Sequence, residues 1–226
     1  MRSTKFHESR VSDEIKLFAA GDVDSIAVLD PTFNTDTLWA TKILDQFSEA
    51  NFSGTLALQI RPEKVNPTFI AAGCRLRDRG VNVILEMGVQ TFDPSVLNSI
   101  GRVKGSDTEK VVEKVKQNLE NVVEHGLNAE ASFIFGLPHQ TIGSFERDLE
   151  WCTARLPALK VTAFPLMLLR GTPLHAQKEA LGLVEAIDIE HPMLRGRVQD
   201  FIPHVVASPW FDTDDWHRMA TMAASL

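Results

Sequence analysis

Short apolar runs recur along this chain at a spacing set by one strand and one helix, and that spacing restricts the fold more than any single motif does. The strand-like runs Ser25–Leu29, Thr55–Ile60, Val81–Gln90, Ala129–Phe135 and Lys160–Leu169 end near Asp30, Arg61, Gln90, Gly136 and Leu168, at intervals of 31, 29, 46 and 32 residues. Helix-like stretches separate them, and the long interval holds two. A repeat of roughly 30 residues built this way gives parallel strands with right-handed crossovers. Polar groups at the strand ends then gather on one face, where ligands bind in such folds. The count falls short of a closed eight-stranded barrel, which takes about 250 residues. A partial barrel is expected.

The run Val81–Asp93 (VNVILEMGVQTFD) is the clearest unit. Its apolar, β-branched opening predicts a strand buried on both faces. Gly88 leaves the backbone open to close approach, Gln90 and Thr91 bring polar side chains to its end, and Asp93-Pro94 signals helix entry. Elsewhere, Ser12 is expected to cap a helix running to Ala20. The helix over Thr35–Ala50 is expected to align Leu38, Ile43, Leu44 and Phe47, and Ser106 with Glu109 has capping-box spacing. After Leu183 the pattern changes. Residues 1–183 read as the barrel and 184–226 as an extension packed on it, with a short strand at Val205-Val206. Asp212 caps a last helix there, and Trp210, Phe211, Trp216 and Met219 serve as anchors.

Charge and motif content narrow the chemistry. The net charge is −7 with no basic run, so nucleic acid and anionic membrane are poor partners. No apolar stretch approaches the ~20 residues needed to span a bilayer, and the first ten residues are too polar for a secretory signal, which points to the cytoplasm. Cys74 and Cys152 lie far apart and read as buried thiols, with no zinc spacing and no cysteine triplet for an iron–sulfur cluster. The seven histidines are scattered, so no metal site is expected. There is no Walker loop, no GxGxxG after a strand, no GxSxG elbow and no HExxH. What remains is a polar rim suited to a small ligand.

The strand ends Asp30-Pro31-Thr32-Phe33-Asn34, Arg61-Pro62-Glu63, Met87-Gly88-Val89-Gln90-Thr91, Gly136-Leu137-Pro138 with Gln140-Thr141, and Arg170-Gly171-Thr172-Pro173-Leu174 occur in a telling order. In that order the chain resembles the radical S-adenosylmethionine superfamily. It looks most like the branch whose members often carry a cobalamin-binding domain upstream. The resemblance covers Ser12–Leu183, and Ser208-Pro209-Trp210-Phe211 is similar to that branch too. It implies an α/β fold: a partial (β/α) TIM-like barrel of radical SAM type, strands two to six, with a mixed C-terminal extension. In the family the first strand leads into CxxxCxxC, whose thiolates hold a 4Fe–4S cluster. The cluster reductively cleaves S-adenosylmethionine to a 5′-deoxyadenosyl radical. Here only Met1–Val11 precede the first expected helix, so the chain reads as a truncated part of such an enzyme, not catalytic as written. The cluster would need an upstream CxxxCxxC segment, and cobalamin would belong to a longer parent.

Carried over residue by residue, Asp30, Pro31 and Thr32 match the loop that receives the cofactor's amino group, although the usual Gly-Gly pair is absent. Gln59 stands where an acidic residue commonly faces the ribose or amino-acid part. Gln90, in Gly-Val-Gln, would hydrogen-bond ribose or carboxylate, and Arg102 would pair with the cofactor carboxylate. Ser132 occupies an often acidic position, while Gly136 and Leu137 would line the adenine side. Read without the resemblance, Asp30 could equally cap a turn, and Gln90 and Arg102 could tie loops. Two other readings stay open: a self-standing, cluster-less module binding a small molecule or a partner, and an unrelated α/β-barrel enzyme. The apolar edge at Ser25–Leu29 invites pairing with a second copy, so a homodimer is expected.

Overall fold

The computed structural model describes residues 7–21, 23–30, 32–103, 107–187 and 201–226. Its elements are α1 (Glu8–Ala20), β1 (Ser25–Val28), α2 (Thr37–Glu49), β2 (Thr55–Ile60), α3 (Pro67–Asp78), β3 (Asn82–Gln90), α4 (Pro94–Ser99), α5 (Thr108–Glu124), β4 (Asn128–Phe135), α6 (Ile142–Arg155) and β5 (Lys160–Pro165). Then follow α7 (Pro173–Ala176), β6 (Val184–Ala186), β7 (His204–Ala207) and α8 (Thr213–Ala224). The first five strands form one parallel sheet in sequence order, β1-β2-β3-β4-β5, as the spacing predicts. The helices between them make it an α/β fold of the partial-barrel kind. β6 and β7 form a separate antiparallel pair. The chain divides into two compact units, residues 1–88 with 117–130, and residues 89–116 with 131–226.

In the first unit, β1 pairs with β2 from Ser25↔Thr55, and β2 with β3 from Thr55↔Asn82. Leu56, Leu58 and Ile60 of β2, and Val83, Leu85 and Met87 of β3, are buried. Each such side chain contributes about 1.5–3 kcal/mol. Their alternates Ala57, Gln59, Ile84 and Glu86 are exposed or half-exposed. β3 is therefore buried on one face only, contrary to the expectation of two. The reason is that a partial barrel packs helices on its outer side alone, so each strand keeps an in–out alternation.

Helix ends also differ from expectation. α1 begins at Glu8, with His7 before it, and Ser12 lies inside the helix instead of capping it. An Arg10–Glu14 ion pair at 2.9 Å, one turn apart, supports this longer start. α2 begins at Thr37, because Phe33–Thr35 forms a 3₁₀ turn and Asp36 then caps the helix by accepting from the Trp39 N–H at 3.0 Å. The buried stripe of α2 is Ala40, Ile43, Leu44 and Phe47; Leu38 lies off it and is 82% exposed. Asn66 caps α3 through the Phe69 N–H.

In the second unit, Phe133 and Phe135 of β4 are fully buried. Phe135 lies 5.7 Å from Phe145 and 5.5 Å from Trp216 between ring centroids, so α6 and α8 pack on one strand. The expected cap of α8 is present: Asp212 accepts from the Asp215 N–H at 2.8 Å. Trp216, Met219 and Phe211 are buried anchors, whereas Trp210 is half-exposed and stacks on His139 at 4.0 Å. β5 ends at Pro165, short of the expected Leu169. Beyond it the backbone turns to the β7 segment, with Val205 N–H donating to Leu166 at 3.0 Å and Leu168 N–H to Pro203 at 2.7 Å. Gly136, at φ +86, lets β7 approach, since a Cβ there would stand 3.1 Å from the Val205 carbonyl oxygen. The proposed cap Ser106 lies outside the described residues.

Candidate functional site

The carboxyl end of β3 combines open space with a constrained backbone. Gly88 lies on the half-open side of the strand, and a Cβ built on it would meet nothing within 4 Å. Two residues on, Gln90 takes a left-handed conformation, φ +71, which costs a side-chain-bearing residue roughly 1–2 kcal/mol. By the strand's alternation Gln90 shares the half-open face of Gly88, while Val89 and Thr91 are buried.

What holds this turn is a carboxylate that the motif reading overlooked. Asp148 on α6 is 5% exposed. Its Oδ2 accepts from the Thr91 hydroxyl at 2.6 Å and from the Phe92 N–H at 3.1 Å. The Thr91 oxygen in turn accepts from the Asp93 N–H at 3.0 Å, and Asp93 caps α4 through the Ser95 N–H at 2.9 Å. Burial pushes the Asp148 carboxyl up to about 6, against the downward pull of the Thr91 and Phe92 hydrogen bonds. Beside it opens a groove of about 570 Å³, where the Lys116 ammonium lies 4.9 Å from the Phe92 ring and 5.1 Å from that of Trp151. A sequence signal for Asp148 existed: it falls on the buried stripe Phe145, Asp148, Leu149, Cys152, where a lone acid demands partners.

The remaining expected residues of this unit divide. Arg102 and Ser132 are half-exposed, and each has a partner. Gly136 and Leu137 are buried. Their loop is closed by Gln140, fully buried, which accepts from the Leu137 N–H at 3.2 Å and donates to the Ile134 carbonyl at 3.1 Å. Thr141 and Ser144 then form a capping box on α6.

In the other unit, Asp30 is exposed and its Oδ1 accepts from the Thr32 N–H at 3.0 Å, which makes these two an Asx turn. Pro31 lies outside the described residues. Gln59 is exposed on the open face of β2, in register with Glu86. A buried tie here was not foreseen: Asn34, 1% exposed, donates to the Arg61 carbonyl at 2.9 Å and accepts from the Arg61 N–H at 2.8 Å. One amide thus joins the segments that follow β1 and β2, as a backbone pair would. Arg61 also pairs with Glu63 at 2.6 Å.

Neither cysteine suits an iron–sulfur cluster. Cys74 is on α3 near the His125 carbonyl, and burial pushes the Cys152 thiol on α6 up to about 12, so it stays protonated at neutral pH. Three thiolates are needed, and the two thiols belong to different units. Among the described residues no three His, Cys, Asp or Glu side chains are grouped to hold a metal, and no helix is long and apolar enough to cross a membrane.

No family model matches the chain, and no curated protein matches it in sequence. Solved structures do resemble it. The radical S-adenosylmethionine methyltransferase TsrM of Kitasatospora setae, with tryptophan and a SAM analogue bound, superposes with a TM-score of 0.66 at 17% identity, over 96% of this chain and 46% of that one. The same enzyme with cobalamin and a [4Fe-4S] cluster gives 0.60 at 16%, over 93% and 40%. Elp3 of the archaeon Methanocaldococcus infernus gives 0.52 at 17%, over 76% and 44%. The chain spans less than half the length of each of these. Its fold is the radical S-adenosylmethionine fold.

Proposed function

We propose that this chain is the cofactor-facing part of a radical S-adenosylmethionine protein and binds S-adenosylmethionine at the carboxyl end of β3. One observation carries the reading. Gln90 is held in a left-handed turn at the end of β3, half-exposed on the open side of the strand. Strain of this kind persists where surrounding structure over-determines it, and it concentrates at ligand sites. An amide there can accept from a ribose hydroxyl and donate to a carboxylate. Arg102 and Ser132, half-exposed in the same unit, are the accompanying polar groups that we assign to the cofactor.

The residues present do not fit a 4Fe–4S cluster, so no radical step is derived for them. Any cluster would be held by thiolates outside these 226 residues. Without iron to chelate its amino and carboxylate groups, S-adenosylmethionine should bind weakly here. Titration calorimetry tests this: wild type should bind, and Gln90→Ala should weaken binding about tenfold, the loss expected for one hydrogen bond of ~1.4 kcal/mol. Equal affinity in the two proteins would move the site elsewhere. Absence of binding in wild type would favour the second reading, a partner-binding module, for which the uncovered β1 edge is the supporting feature.

A further inference from the structure

The turn that presents Gln90 is tied to a distant element as well as to itself. Gln90 ends β3 with φ +71, and the next two residues are both engaged by Asp148, a side chain from α6, 57 positions after Thr91. The contact leaves little freedom. A single carboxylate oxygen takes the Thr91 hydroxyl at 2.6 Å and the Phe92 N–H at 3.1 Å, and Thr91 passes the constraint to the Asp93 N–H at 3.0 Å. The sequence from Thr91 to the α4 cap is therefore fixed to α6 through one acid. Asp148 also faces the groove lined by Lys116, whose charge favours a carboxylate that burial and the neighbouring Asp93 disfavour. Burying an acid is costly, and a neutral residue would pack the α6 stripe at less expense. What the acid provides in return is the pair of hydrogen bonds to the turn.

We infer that Asp148 is a positioning residue: it touches no ligand, yet it sets the direction in which Gln90 offers its amide to whatever binds at the end of β3. This rests on the cofactor reading of Gln90 given above. Asparagine keeps an acceptor oxygen at the same place and alanine does not, which separates the geometric role from mere burial. A residue acting only through Gln90 should also cost nothing once Gln90 is gone.

The test is a double-mutant cycle on the full chain with S-adenosylmethionine as the probe. Asp148→Ala should weaken binding about as much as Gln90→Ala, roughly tenfold by the loss of one hydrogen-bonding group. Asp148→Asn should stay within about threefold of wild type, and Asp148→Ala added to Gln90→Ala should cost less than about twofold more. Losses that multiply in the double variant would overturn the inference. Should Asp148→Ala not fold, Thr91→Val against Thr91→Ser carries the same comparison, with rescue by serine expected and equal loss in both overturning it. Should wild type bind no S-adenosylmethionine, the cofactor reading fails, and the inference is decided by the nuclear magnetic resonance signature of Gln90. A left-handed Gln90 that persists in the alanine variant overturns it; its disappearance upholds it.

Discussion

At the scale of single residues, local strain and burial are balanced by specific partners. Gln90 lies where glycine would rest without strain, so its backbone conformation opposes its residue type. Gln90→Gly should raise stability by up to about 1 kcal/mol in urea unfolding, relief of the left-handed penalty being partly offset by the looser unfolded chain. The same variant should bind S-adenosylmethionine no better than Gln90→Ala does. A glycine variant that is both less stable and equally tight would show that the turn is not strained. The thiols are a second case. Cys152, buried and held protonated, is a packing residue, and its burial in the α6 stripe was legible in the sequence.

At the scale of elements, α6 links chemistry to the fold. Burial places the Asp148 proton affinity near 6, above the ordinary 3.8. The native state then holds this proton more tightly than the unfolded chain does. Its contribution to stability is full below the ordinary carboxylate range and is lost as pH rises through about 6. The loss is on the order of 2–3 kcal/mol. Buried His204 on β7 titrates in the opposite sense, its affinity lowered by burial, so its contribution is lost as pH falls. The difference between wild type and Asp148→Asn isolates the acid. Urea unfolding between pH 4 and 7.5 should show Asp148→Asn gaining on wild type as pH rises, and a constant difference would mean that Asp148 titrates as an ordinary surface carboxylate.

Caps show how far local signals reach at this scale. Asp212 on α8 and Asp93 on α4 cap as their spacing implies, because the bond joins residues two or three positions apart. Ser12 does not cap, since α1 could extend one turn earlier with its own ion pair. Leu38 lies off the apolar stripe of α2 because five and nine residues separate it from Ile43 and Phe47, which at 3.6 residues per turn puts it on the opposite side of the helix.

At the scale of the whole chain, β1 is the end strand of the sheet, with no outer strand among the described residues. Leu29 beside it is 83% exposed, and Leu17 on α1 is 69% exposed. An uncapped apolar edge is a template for another strand. The chain should therefore self-associate in sedimentation at micromolar concentration, and Leu29→Lys should shift it towards monomer. A wild type that stays monomeric across that range would remove the edge as an interface.

The repeat of strand and helix determined by itself that the sheet is parallel, in sequence order and of the partial-barrel kind, because hydrophobic period and crossover handedness are local properties of the chain. The strand-end motifs likewise marked Gln90 and its neighbours from the sequence. The open face of β3 was legible too, since Val83, Leu85, Met87 and Val89 alternate with Asn82, Ile84, Glu86, Gly88 and Gln90, of which only Ile84 is a large apolar residue. Only the tertiary structure paired Asn34 with Arg61 and Asp148 with Thr91, 27 and 57 positions apart. Such contacts come from where the elements dock, and a buried polar group takes whichever partner that docking delivers.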